Sequence, residues 1–150
     1  MNTETASTML IHDSIYNWEG WGGKLKLAHG KCRLRIFDRR KSDVSVTILR
    51  PFVVVVSDVE DSKMSIRSCA GHIATKVTNE FKINPNRMIW VEYYPAVRYG
   101  RKNEYEIAEQ YILVDFIWKE GRAIHPKWRP LKPPLLDTVK SLVALTDKNG

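Results

Sequence analysis

The chain has 150 residues, 43% of them hydrophobic, with 24 Lys/Arg against 17 Asp/Glu and a formal net charge of +7. That length fits one domain, residues 1–150, able to bury a proper core. No apolar run approaches the ~18 residues needed to span a bilayer, and residues 1–9 lack the apolar stretch of an export signal. The expectation is a cytoplasmic protein with no membrane association.

The first ten residues are polar and rich in Ser and Thr, and read as a flexible start. Trp18, Gly20, Trp21, Gly22 and Gly23 follow as an aromatic–glycine stretch. Trp18 and Trp21 are candidates for base stacking or for anchoring a partner.

All the net charge lies in residues 24–50, where nine bases face only Asp38 and Asp43; the rest of the chain is neutral. Between 24 and 38 the sequence alternates strictly. Lys24, Lys26, Lys31, Arg33 and Arg35 fall on one set of positions, and Leu25, Leu27, Cys32, Leu34 and Ile36 on the other. Period-two alternation marks a half-buried strand. His29-Gly30 interrupts it, and Gly supplies the backbone freedom of a tight turn. The spacing therefore predicts a hairpin turning at His29-Gly30, with Lys26 opposite Arg33 and Lys24 opposite Arg35. Like charges so placed repel by roughly 0.2–1 kcal/mol per pair, which an anionic partner would relieve. The opposing reading is a solvated face, screened by salt or paired to acids elsewhere. With Arg39, Arg40 and Lys41, the five hairpin cations form the expected nucleic-acid-binding surface.

Residues 44–50 are rich in β-branched side chains and predict another strand. Phe52 to Ser57 follows Pro51 and is apolar on both faces, as in a covered sheet. Ile66, Ala70, Ile73, Val77 and Phe81 recur at helical spacing, which predicts a helix from 62 to 81. Asn84-Pro85-Asn86 stops it, and residues 88–94 read as a strand. Residues 52–94 thus form a β-α-β crossover with parallel strands.

Residues 95–110 are irregular, with a helical turn expected near 104–109. Tyr93, Tyr94, Tyr99, Tyr105 and Tyr111 are interleaved there with Arg98, Arg101 and Lys102. Rings and guanidinium groups together suit single-stranded nucleic acid, and Tyr99 and Arg101 are the leading stacking or partner contacts. Residues 111–119 predict a strand, 126–134 an extended Pro-rich segment, and 135–145 a helix, with 146–150 frayed. The whole is a single α+β domain: a mixed sheet of five to six strands, an N-terminal hairpin or meander, one crossover and a C-terminal helix, with the helices on one face.

No catalytic motif stands out. Asp58, Glu60, Asp61 and Glu92 fall near the C-terminal ends of the parallel strands, where α/β units bind ligands, and would suit a Mg-dependent nuclease if they converged. Cys32 and Cys69 show no zinc spacing. Cys69 and His72 stand three apart on the helix, short of a convincing nucleophile pair. The sequence therefore points to a non-catalytic nucleic-acid binder with no metal and no cofactor. A module that binds an acidic partner protein is the alternative from another class.

Overall fold

The computed structural model describes residues 3–21, 27–42, 47–60 and 62–147. Helix α1 (Thr3–Met9) leads into strands β1 (Leu10–Trp21) and β2 (Leu27–Asp38). Strand β3 (Phe52–Asp58), helix α2 (Ala70–Phe81) and strand β4 (Met88–Tyr94) form the crossover. A short arm of β5 (Val97–Tyr99) and β6 (Tyr105–Ile107) precedes β7 (Gln110–Lys119), β8 (Arg122–Pro130) and α3 (Leu135–Asp147). Six strands make one mixed sheet in the order β1-β2-β3-β4-β7-β8, and the arm is a separate two-stranded sheet. The protein is a single α+β domain, as the hydrophobic periods predict.

Strands β3 and β4 pair in parallel, Val54 opposite Trp90, and every other neighbouring pair in the main sheet is antiparallel. Val53, Val54, Val55 and Val56 are all buried. A strand apolar on both faces must be covered on both, and so it is. Helix α2 packs Ile73, Ala74 and Val77 on Leu34, Ile36, Val54, Val56 and Trp90. Helices α1 and α3 pack Ala6, Met9, Val139, Leu142 and Val143 on Phe37, Val53, Val55, Ile89 and Val91. The expected one-sided arrangement of helices is thereby corrected to a three-layered one.

The N-terminal hairpin differs from expectation in its register. Residues 10–21 form its first strand, and His29 and Gly30 lie inside the second, opposite Glu19 and Trp18. Gly30 is needed for close approach rather than for a turn: a Cβ there would stand 2.2 Å from the Trp18 ring. Arg33 lies opposite Ile15 and Ser57, and Arg35 opposite Asp13 and Val55, while Lys24 and Lys26, their predicted partners, lie outside the described residues. The sequence reading missed β1 because both of its faces mix polar and apolar residues. His12, Tyr16 and Trp18 meet α2, while Ile11, Asp13, Ile15 and Asn17 are exposed.

Three further expectations change. The start reads as flexible, yet residues 3–9 form α1 with Ala6 and Met9 buried. Of the strand expected at 44–50, residues 43–46 lie outside the described residues and 47–50 are not extended into the sheet. Helix α2 begins at Ala70, after turns over 66–69, and the helical turn expected at 104–109 is instead β6. The expected frayed end is helical as far as Asp147, and 148–150 lie outside the described residues.

Candidate functional site

Among the described residues, the basic segment does not present one open face. Arg35 is only 1% exposed, pinned beneath α3. Its Nη1 donates to Asp147 Oδ1 at 2.6 Å and to Thr146 Oγ1 at 3.2 Å, while its buried Nε finds no partner among the described residues. Burial pulls its pKa down, and Asp147 opposes that shift. Arg33 forks onto Asp13 at 2.9 and 3.1 Å and reaches Asp147 at 2.7 Å. These two arginines spend their donors holding the C-terminal end of α3, where cations also complement the helix dipole. Both were expected on an open cationic face, and the structure instead pairs them with acids of the same domain.

The remaining cations are divided. Lys31 is exposed within β2, next to Cys32, which pairs with Asp58 at the end of β3. Arg39, Arg40 and Lys41 lie beyond the C-terminal end of β2, roughly 25 Å away at about 3.3 Å per residue. Arg40 forks onto Asp38 at 2.9 Å, which holds that carboxyl below its ordinary range. Arg39 donates to the Arg50 carbonyl, and Lys41 is exposed. Lys24 and Lys26 lie outside the described residues. Trp18 is buried in the core, and Trp21 is placed by its backbone alone, opposite Leu27.

A different cluster forms where β3 and β4 both end. Glu92 is completely buried, and all four of its contacts are donors. Arg67 Nε and Nη2 each lie 3.2 Å from Oε1, the Tyr94 hydroxyl donates to Oε1 at 2.7 Å, and Trp128 Nε1 donates to Oε2 at 2.8 Å. The Arg67 guanidinium also lies 5.5 Å from the Tyr94 ring centroid and 5.4 Å from that of Trp128, within cation–π range. Arg67 remains 49% exposed. A buried carboxylate fully hydrogen-bonded in this way holds its arginine in one geometry while leaving it accessible.

Arg67 and Tyr94 line an open cleft of about 310 Å³ with Asp58, Ser65 and Gln110. Asp58 accepts the Ile66 amide on Oδ1 at 2.9 Å. Partial burial raises its pKa, the Ile66 bond lowers it, and the Glu92 charge raises it further. Burial and the Glu92 bond lift the Tyr94 phenol well above its usual range, so it donates as a neutral hydroxyl. The crossover segment docks here too: Ser62 Oγ accepts the Lys31 amide at 3.0 Å.

The expected acid cluster is only partly assembled. Asp58 and Glu92 interact, Glu60 is exposed, and Asp61 lies outside the described residues. Among the described residues no group of three or more His, Cys, Asp or Glu is arranged to hold a metal ion. Cys69 and His72 do not pair. The thiol faces the Met64 sulfur at 3.7 Å, and His72 Nε2 meets the Glu19 carbonyl. Cys32 is buried, and burial pushes its thiol up to about 12.

The tyrosines split by location. Tyr93 and Tyr111 pack with tilted rings, centroids 5.0 Å apart, near Arg35. Tyr99 and Tyr105 are paired across the β5–β6 arm and are 52% and 69% exposed. The arm leaves from Tyr94 and returns at Gln110, so it springs from the same edge as the cleft. Arg101 and Lys102 are exposed at its tip. Of the residues gathered here, sequence reasoning singled out Tyr94, Tyr99, Tyr105, Arg101, Lys102, Asp58 and Glu92. It passed over Arg67, which carries no local signal, and Gln110.

Comparisons with protein-family models, with curated proteins and with solved structures each find no match. No helix among the described residues is long and apolar enough to cross a membrane.

Proposed function

We propose that the protein is a non-catalytic binder of single-stranded nucleic acid. Its contact surface is the sheet edge at which β3, β4 and β8 end, rather than the face of the basic hairpin. The observation that carries the reading is that the segments at this end of the sheet carry both exposed rings and unpaired cations. Tyr99 and Tyr105 stand out on the arm, and Lys31, Lys63, Arg101 and Lys102 are exposed, with no ion pair among the described residues. Aromatic rings stack unpaired bases while cations track the phosphates, and each stacked base is worth roughly 1–3 kcal/mol. A duplex hides its base faces and would leave both tyrosines unused.

The test is a salt titration of the purified, nuclease-treated protein with short single- and double-stranded DNA and RNA. Four phosphate contacts predict a log–log slope of about −2.8 on a single strand. Changing Lys31, Lys63, Arg101 and Lys102 together to Glu should abolish binding. Tyr99→Ala/Tyr105→Ala should weaken it with little change in slope. Tight duplex binding indifferent to both variants would reject the assignment, and capture of an acidic protein instead would favour a protein-interaction module.

A further inference from the structure

The cleft beneath this surface has a chemistry of its own. The lining sets one acid, Asp58, against one base, Arg67, so the cleft is formally neutral and offers both an acceptor and a donor. It favours a neutral group that both donates and accepts hydrogen bonds. Asp58 uses only Oδ1 among the described residues, and a carboxylate offers about four lone-pair sites. Arg67 commits Nε and Nη2 to Glu92, and Nη1 has no partner among the described residues. Gln110, exposed at the rim, adds an amide that both donates and accepts. Tyr94 supplies an aromatic wall. At about 310 Å³ the cleft falls at the small end of the range for organic ligands, roughly 300–1,000 Å³.

We propose that this cleft is a base-reading subsite selective for guanine, with Asp58 and Arg67 as the discriminating pair; the inference rests on the nucleic-acid reading above. Guanine alone among the bases offers two adjacent N–H donors, N1 and N2, beside two acceptors, O6 and N7. A carboxylate accepts the first pair and a guanidinium donates to the second. Adenine brings a single amino group flanked by acceptors, which would meet the Asp58 oxygens lone pair to lone pair. Cytosine brings one amino group beside N3, with the same conflict. Thymine and uracil carry one N–H between two carbonyls. The buried Glu92 acts here as a positioning residue: it fixes the plane of the Arg67 guanidinium without reaching the base.

The experiment compares short oligothymidylates carrying one internal guanine, adenine, cytosine or hypoxanthine, with guanosine monophosphate as the free nucleotide. The guanine strand should bind about tenfold tighter than the others. Hypoxanthine, which lacks the N2 amino group, should lose most of that advantage. Asp58→Asn and Gln110→Ala, each checked for an undiminished unfolding midpoint, should bring the guanine strand toward the affinity of plain oligothymidylate. Equal affinity for all strands, or a guanine preference that survives in Asp58→Asn, overturns the subsite and leaves the single-strand reading standing. Binding of guanosine monophosphate with no strand binding sustains the cleft and overturns the strand reading. Failure of strands and nucleotide alike overturns both.

Discussion

The molecule carries two arginine–carboxylate pairs of opposite orientation. In Arg35–Asp147 the cation is buried, 1% exposed, and the acid is 40% exposed. In Arg67–Glu92 the acid is at 0% and the cation at 49%. The chemistry of the contact is the same, and the difference lies in which partner water can reach. The first pair turns its cation inward to fasten α3 across the sheet. The second turns its cation outward into a cleft. A cluster of bases in a sequence therefore says little about which of them a partner can touch. Here the strongly basic strand supplies the inward arginines, and an isolated Arg67 in the crossover supplies the outward one.

The largest effect should come from stranding the buried acid. Arg67→Ala leaves Glu92 charged and without its cation, which costs about 3–5 kcal/mol. Urea titration should show it, and the double change Arg67→Met/Glu92→Met should recover much of the loss. A cost under about 1 kcal/mol would mean that Tyr94 and Trp128 alone can hold the carboxylate. Arg35→Met should cost less, about 1.5–3 kcal/mol for lost charged hydrogen bonds, because the half-open Asp147 can return to water. Faster amide exchange in the last turn of α3, with β3 still protected, would place the effect at that junction. Uniform loss of protection would instead make Arg35 a determinant of the whole core.

The pH dependence should separate two aspartates by sign. Asp38, held by Arg40, has a lowered folded pKa. Its contribution is present above the unfolded pKa and is lost as pH falls through the folded value. Asp58 has a raised folded pKa, so its carboxyl binds a proton more tightly in the native state. Stability therefore falls as pH rises through its titration range. Asp38→Asn should flatten the acid limb of the stability curve, whereas Asp58→Asn should be at least as stable as the parent at neutral pH. Denaturant midpoints across the acid range test both. The smallest effect belongs to Lys31→Glu, exposed and unpaired, which should shift stability by no more than about 0.5 kcal/mol while lowering affinity for a polyanion.

Local periodicity was enough to determine much of the architecture. The apolar run of β3, the helical stripe of α2, the strands at 88–94 and 111–119 and the final helix are each legible because their burial pattern repeats within a few residues. The parallel pairing of β3 with β4 follows from a helix lying between them. Glu92 and Asp58 were placed near the C-terminal ends of those parallel strands by the same reasoning. What sequence could not supply is which helix covers which face. Alternation distinguishes the two sides of β2 but does not say that Asp147, 112 positions away, closes over Arg35. Nor does it show that Gly30 makes room for Trp18, or that Arg67 and Trp128 converge on Glu92 from 25 and 36 positions away. Those contacts are set by tertiary packing, because burying a charge is tolerable only where the fold delivers its partner.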